Sequence, residues 1–372
     1  MGLFDPRPKD RLEDFFDRER ELKLFMGSVR SSPLTLVLGL RRYGKTSLIL
    51  TGLNELRIKY IYLDCKALPA GMIGVSDLIQ LLAESLSRFV RKHGGLRPRI
   101  LKLLSNISGV SISGVTITVN LRRFRPQNLP ELLDTLDDLG EEVVLVIDEA
   151  QELRRLAKYR ADHILAYIYD NLRNVKLVLS GSQVGLLHRL LRVDDPQAPL
   201  YGRAYATVRL GRLPPEDSIK FLELGYGQHG LRPAKKILEQ IVDAVDGVIG
   251  WLTYIGFKTV QAGRVNKEII EEAVRNAWEL TLQELKHFLQ LRPLAKERYV
   301  TTLKAVATLG EATWTNIYNY AQARLGKIPK PTFNNILKNL IDAGFLEKKE
   351  NKYTIADPIL KQALLHTTTQ HI

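Results

Sequence analysis

One stretch constrains this chain more than any other. Residues 34–50 read LTLVLGLRRYGKTSLIL, an apolar strand, a tight loop and an apolar helix in immediate succession. The loop matches the pattern G-x-x-x-x-G-K-[ST], with Gly39, Gly44, Lys45 and Thr46 in the fixed places. Gly39 lets the strand turn without a side-chain clash, and Gly44 brings backbone N–H groups close to phosphate oxygens. Lys45 neutralises the β- and γ-phosphates, and the Thr46 hydroxyl is a ligand for Mg²⁺. The helix that starts here points the positive end of its dipole at the same anion. Arg41, Arg42, Tyr43 and Ser47 belong to the same loop and are candidate nucleotide-binding residues with it.

A second motif complements the first. Residues 143–149, VVLVIDE, form a buried parallel strand with Asp148 and Glu149 at its end. After a phosphate-binding loop this is where an Asp holds Mg²⁺, here together with Thr46. The adjacent Glu149 is placed to polarise a water for in-line attack on the γ-phosphate. Residues 175–180, VKLVLS, form a further strand ending in Gly181, Ser182 and Gln183. Ser182 has two readings, a sensor of the γ-phosphate or a cap for the following helix. Arg203 lies in a loop within reach of phosphates or simply exposed. Asp64, at the end of a strand over 57–63, is a strand-end cap or a site residue. Residues 107–119 alternate around Ser113-Gly114 as a β-hairpin, and Arg122, Arg123 and Arg125 form a basic rim or a polyanion contact.

The rest of the chain bounds the possibilities. Its 372 residues suffice for two or three domains. A 45% hydrophobic, 26% charged composition is that of a soluble globular protein. The net charge of +13 favours polyanionic partners. The single Cys65 excludes an intrachain disulfide and fits a reducing cytoplasm, as a buried filler. No apolar run is long enough to span a membrane, and the N-terminus lacks a signal-peptide core or a myristoylation pattern. The seven His are scattered without an H-x-x-x-H pair, which disfavours a metal-centred enzyme.

From Pro214 onward the pattern is helical, with apolar positions three and four apart over 216–226, 234–245, 249–262 and 266–290. Residues 293–372 read as helices over 297–309, 313–325 and 332–343, then strands over 345–349 and 351–355, the order of a winged helix-turn-helix. In the third helix Asn334, Asn335, Lys338 and Asn339 fall outside the apolar face. This unit holds eleven Lys or Arg and six Asp or Glu. That surplus suits duplex DNA, while packing against the nucleotide domain is the equal alternative.

These motifs resemble the STAND branch of the AAA+-type P-loop ATPases, specifically its archaeal members, relatives of the origin-recognition initiator ATPases. The class carries an N-terminal box near the adenine, an apolar residue followed by G-R-E-x-E. Phe16, Arg18, Glu19 and Glu21 match it, with Asp17 in the Gly place; Asp17 is also the expected N-cap of a helix over 15–29. Two positions depart. Ile249 stands two residues after Gly247 where a G-x-P motif has Pro, and Gln183 stands where the class often has Arg after the fourth strand.

The resemblance implies an α/β fold: a P-loop core over 1–212, a helical lid over 213–292 opening at Pro214, and a winged helix over 293–372. It implies a Mg²⁺-dependent ATP switch hydrolysing slowly, because a switch needs a long-lived ATP state and no trans-acting arginine is evident. Catalysis is assigned to Glu149, Lys45, Ser182 and Arg203. Nucleotide binding is assigned to Asp17, Arg18, the loop and Pro214, and Mg²⁺ to Thr46 and Asp148. The alternatives are a DNA-binding initiator-like ATPase and a nucleotide-bound scaffold without turnover. Implied partners are ATP or ADP, duplex DNA or a protein, and further copies in the ATP state, in the cytoplasm and not at a membrane.

Overall fold

The computed structural model describes residues 2–69, 71–120, 123, 128–157 and 159–368. Arg122 and Arg125 of the basic trio lie outside the described residues; Arg123 is exposed. An N-terminal strap leads into α1 (Glu19–Ser31), β1 (Leu34–Leu38), α2 (Lys45–Glu55) and β2 (Lys59–Asp64). Then come α3 (Val75–Lys92), α4 (Arg97–Ser105), the hairpin β3 (Val110–Ser113) and β4 (Thr116–Val119), and α5 (Asn128–Asp137). The core ends with β5 (Val143–Asp148), α6 (Ala161–Asn171), β6 (Val175–Gly181), α7 (Val184–Leu191) and β7 (Ala206–Arg209).

Five of these strands form one sheet in the order β2-β5-β6-β1-β7, every pair parallel. A parallel sheet needs both faces covered, and the side chains sort accordingly. Leu34, Leu36, Leu38, Leu145, Ile147, Leu177 and Leu179 join one core with α3 and α6. Val37, Val144, Val146, Val178 and Val208 face the other, against α1, α2 and the helices that follow β7. Gly52 of α2 lets these layers close: a Cβ there would lie 2.5 Å from the Phe25 ring of α1. The strand order sets the ends of β5, β6 and β1 side by side, so the segments after them share one crevice.

Four helices follow the sheet: α8 (Pro215–Gly227), α9 (Lys235–Val245), α10 (Ile249–Gln261) and α11 (Lys267–Gln290). They share the valine-side core with α1 and α2. The strap binds the two parts together. Phe4 packs edge-on against Phe221 and Tyr226, in a slot left by Gly225 and Gly256, where an added Cβ would meet its ring at 2.4 Å. Further along the strap, the Lys9 N–H donates to Ser47 Oγ at 3.0 Å.

The last segment is α12 (Lys296–Leu309), β8 (Ala312–Thr313), α13 (Trp314–Leu325), α14 (Lys330–Asp342), β9 (Leu346–Lys349), β10 (Lys352–Ile355) and α15 (Pro358–His366). Its strands pair antiparallel in the order β8-β10-β9. It has its own core, to which Leu285 and Leu289 of α11 contribute. It also lies against the sheet domain and the helices that follow it. Asp342 of α14 pairs with Arg189 of α7, Arg212 donates to the Ala356 carbonyl at 2.7 Å, and Gln362 of α15 donates to the Ala244 carbonyl at 2.6 Å. The outward face expected of α14 is only partly free. Asn334, Asn335 and Lys338 are exposed, but Asn334 accepts from Trp314 Nε1 at 2.7 Å and Asn339 donates to Tyr299 Oη at 2.9 Å.

Asp17 does not cap α1. The N-cap is Arg18, which like Asp17 has a left-handed backbone (φ 73° and 55°), and no side chain caps that end. Helices α4, α5, α6 and α15 escape the sequence reading, because each is short, at 9–11 residues. Among the described residues no helix is long and apolar enough to cross a membrane.

Gly247 joins α9 to α10 at φ 68°, and its carbonyl accepts from Leu213 N at 2.8 Å. A Cβ there would sit 2.1 Å from the Leu213 carbonyl oxygen. Gly247→Ala is therefore expected to destabilise the protein by about 1–3 kcal/mol, through left-handed strain and a broken hinge contact. A denaturant midpoint equal to that of the wild type would contradict this.

Candidate nucleotide site

The segments after β1 and β5 open onto a cleft of about 640 Å³ between the sheet and the helices that follow it. Arg41, Lys45 and Glu149 line it with charge and Thr46 with a hydroxyl, while Phe16, Phe221 and Tyr254 also line it. Gly39 makes the loop possible by close approach: a Cβ there would lie 2.9 Å from the Leu210 carbonyl oxygen. Gly44 takes φ 85° as the N-cap of α2, a conformation that costs Gly little. Helix α2 then starts at Lys45 with its N–H groups facing the cleft.

Lys45 is 5% exposed, and its Nζ donates to the Leu40 carbonyl at 3.0 Å. Burial pushes its ammonium below the ordinary lysine range, against the opposing pull of Glu149 and Asp148. An anion beside it restores the balance, which is the electrostatic case for phosphate here.

Asp148 is buried at the end of β5 and is surrounded by hydroxyls. Thr46 Oγ1 donates to its Oδ2 at 2.8 Å, Tyr62 Oη donates to the same oxygen, and Ser180 Oγ donates to Oδ1. The adjacent oxygens of Thr46 and Asp148 fit one hard divalent cation. Among the described residues no group of three or more His, Cys, Asp and Glu could hold a metal. One carboxylate and one hydroxyl are a share that Mg²⁺ can take from a protein where phosphates and water complete its shell.

Glu149 is 6% exposed and has a left-handed backbone, φ 53° and ψ 45°, a strained conformation of the kind that concentrates at functional sites. Its Oε2 accepts from Gln151 Nε2 at 2.6 Å, from Ser182 Oγ and from Ser182 N at 3.2 Å. Its Oε1 faces Lys66 Nζ at 3.7 Å. Burial alone would raise its carboxyl, but Lys45, Lys66, Ser182 and Gln151 outweigh that and lower it to about 2. The group is thus an ionised acceptor at any physiological pH.

The other sequence candidates separate. Arg18 lines the cleft, but its guanidinium is tied to Glu21 at 3.0 Å and to the Gly211 carbonyl. Tyr43 and Ser47 line the cleft with the loop. Asp17 instead borders a shallower depression with Phe15 and Glu19. Arg203 is corrected: it is exposed and pairs with Asp170 at 2.8 Å, away from the cleft. Pro214 is exposed at the start of α8 and does not line the cleft. Asp64 accepts from Lys66 N at 3.0 Å, a local turn cap, and Cys65 is a buried filler. Sequence reasoning missed Tyr62, Ser180, Gln151, Lys66 and Glu284. Ser180 carried a faint signal as a hydroxyl in an apolar strand, and the others none, because their partners are distant or their types common.

Comparison with known proteins agrees with this geometry. Residues 15–255 match a family described as an ATPase domain predominantly from Archaea. The chain belongs to this ATPase family. Among solved structures it is similar to the Walker-type ATPase paby2304 of Pyrococcus abyssi, with 33% identity, a TM-score of 0.83, and coverage of 98% of this chain and 100% of that one. It also shares its fold with the ORC2 protein of Aeropyrum pernix, solved as ADPNP–ADP complexes, at 15% identity and TM-score 0.60 over 98% of this chain and 95% of that one. Cdc6p of Pyrobaculum aerophilum is similar at 16% identity and TM-score 0.50, over 98% and 96% of the two chains. Comparison with curated protein sequences returned no match.

The lowered Glu149 pKa makes a stability prediction. A carboxyl whose folded pKa lies below its ordinary value of 4.5 contributes stability above that value and loses it as pH falls toward 2. Wild type should therefore exceed Glu149→Gln in melting temperature at pH 7, and the gap should narrow as pH drops from about 5 to 3. A gap that stays constant across that range would count against the charge network described here.

Proposed function

We propose that this ATPase is a Mg²⁺-dependent molecular switch with slow turnover, and that its C-terminal unit, a winged helix, reads the nucleotide state. The observation that carries the reading is that Lys45, Thr46 and Glu149 line one cleft, with Asp148 hydrogen-bonded to Thr46, beside the contact face of that unit. Lys45 and the loop N–H groups hold the β- and γ-phosphates, and Thr46 and Asp148 hold Mg²⁺, which neutralises charge on the phosphates when bound. Glu149 orients a water and takes its proton. The water oxygen bonds to the γ-phosphorus as the bond to the ADP bridging oxygen breaks. Ser182 and Gln151 aim the glutamate. Both hydrogen-bond the same carboxylate oxygen, which restrains the base and supports slow turnover.

The C-terminal unit is tied to the site. A Cβ on Gly344 would lie 3.3 Å from the Ser182 carbonyl oxygen and 3.2 Å from Leu40. Trp251 Nε1 donates to Asp357 at 3.1 Å. Motion at the phosphate loop or at Ser182 is thereby transmitted to a separate core. A second reading, a DNA-coupled ATPase, is favoured by the exposed Lys330, Asn335 and Lys338 on α14.

Lys45→Ala is expected to abolish ATP binding. Glu149→Gln is expected to retain binding and lower turnover by about 10²–10³-fold, the usual scale for loss of a general base. Turnover is measured with and without duplex DNA at two salt concentrations. Salt-sensitive stimulation by DNA would favour the second reading over an internal switch. Normal turnover by the Gln variant would remove Glu149 from its role.

A further inference from the structure

Arg41 and Arg42 sit inside the phosphate loop, yet their guanidinium groups are engaged by a helix distant in sequence. Arg41 pairs with one oxygen of Glu284 at 2.9 Å, and Arg42 pairs with the other at 2.8 Å. Glu284 lies on α11 and lines the cleft itself. Burial opposes its charge, but the two arginines overcome this and hold the carboxyl below the usual range. A carboxylate thus sits on the cations of a site built for phosphate.

The two arginines differ. Arg42 is fastened on several sides. Its guanidinium lies 3.9 Å over the Trp251 ring and 3.9 Å from Asp357, and its carbonyl accepts from Gly250 N at 2.9 Å. Its backbone is left-handed at φ 66°. It anchors the loop to α10 and the C-terminal unit. Arg41 has a side chain 42% exposed in the cleft and paired with Glu284, with Glu149 and Glu152 adding to the negative field around it. It directly follows Leu40, whose carbonyl accepts from Lys45 Nζ. The Lys45 ammonium marks the seat of the β- and γ-phosphates, so Arg41 starts beside it.

The geometry points to Arg41 as an arginine acting in cis on the terminal phosphate, with Glu284 as the carboxylate that holds it until a triphosphate displaces it. The inference rests on the nucleotide site described above. Carboxylate and phosphate offer a guanidinium the same bidentate acceptors, so they compete for it. A γ-phosphate draws Arg41 off Glu284, and ADP, lacking that group, leaves the pair closed. In the transition state the freed arginine neutralises charge on the transferring phosphoryl group. The exchange also loosens α11, whose Leu285 and Leu289 lie in the core of the C-terminal unit. One event thereby arms hydrolysis and reports the nucleotide to the distal unit.

The test is equilibrium binding of a fluorescent non-hydrolysable ATP analogue and of fluorescent ADP, with steady-state turnover alongside. The proteins are wild type, Glu284→Gln, Arg41→Gln and the double variant. Glu284→Gln should bind the ATP analogue about tenfold tighter while its ADP affinity stays within about twofold, the size of one charge-assisted hydrogen bond gained. Arg41→Gln should lower kcat by about 10²-fold with ADP affinity unchanged. The double variant should lose the gain. A gain that is equal for ADP, or that survives without Arg41, overturns the proposal. So does an Arg42→Gln variant that reproduces the whole effect, since that would trace it to a loosened α11. Should Glu284→Gln fail to fold, Glu284→Asp, with its shorter reach, supplies the same comparison. Wild type that binds neither nucleotide would instead sink the site reading itself, with Lys45→Ala as the reference for no binding.

Discussion

The structure depends on giving partners to a small set of buried ionisable side chains. Lys45, Asp148 and Glu149 lie within one crevice at exposures of 6% or less, where unpaired charge is costly. Each is answered locally: Lys45 by the Leu40 carbonyl and the two carboxylates, Asp148 by three hydroxyls, and Glu149 by Ser182, Gln151 and Lys66. The hydroxyls come from α2, β2 and β6, so the network exists only if those elements stand in this order. The sheet supplies that order, with β5 between β2 and β6 and β1 beside β6.

The second organising feature is the concentration of contacts on the phosphate loop. The strap reaches it through Lys9 and Ser47, α10 through Gly250 and Trp251, α11 through Glu284, and the C-terminal unit through Asp357. A rigid loop would need none of these. Four separate parts of the chain thus touch the loop directly, without any long relay. The Gly residues at 225, 247 and 256 mark where the helices approach their neighbours too closely for a side chain.

Much of this was readable from the chain. The phosphate loop, the Asp148–Glu149 strand end, the apolar strands and the helical C-terminal half follow from local pattern, and each appears where the pattern puts it. The polar side chains that surround Asp148, Glu149 and the loop arginines did not. Tyr62 looks like any strand tyrosine, Gln151 like any helix-start glutamine and Glu284 like one solvent-facing charge among several on α11. Arg203 shows the converse. An arginine expected in a loop within reach of phosphates pairs instead with Asp170, because ion pairing is decided by distance in space.

The sequence by itself determined the side chains the site has to work with: a glycine-shaped loop opening a helix, an Asp at a strand end and a neighbouring Glu, each specified by short-range backbone geometry and residue type. Only the tertiary structure decided which partners those groups meet. Strand order chose which hydroxyls meet Asp148, and the packing of α11 placed Glu284 on Arg41 and Arg42. Both depend on contacts between residues at least 32 positions apart, and local sequence pattern does not encode which distant carboxylate lands on which guanidinium.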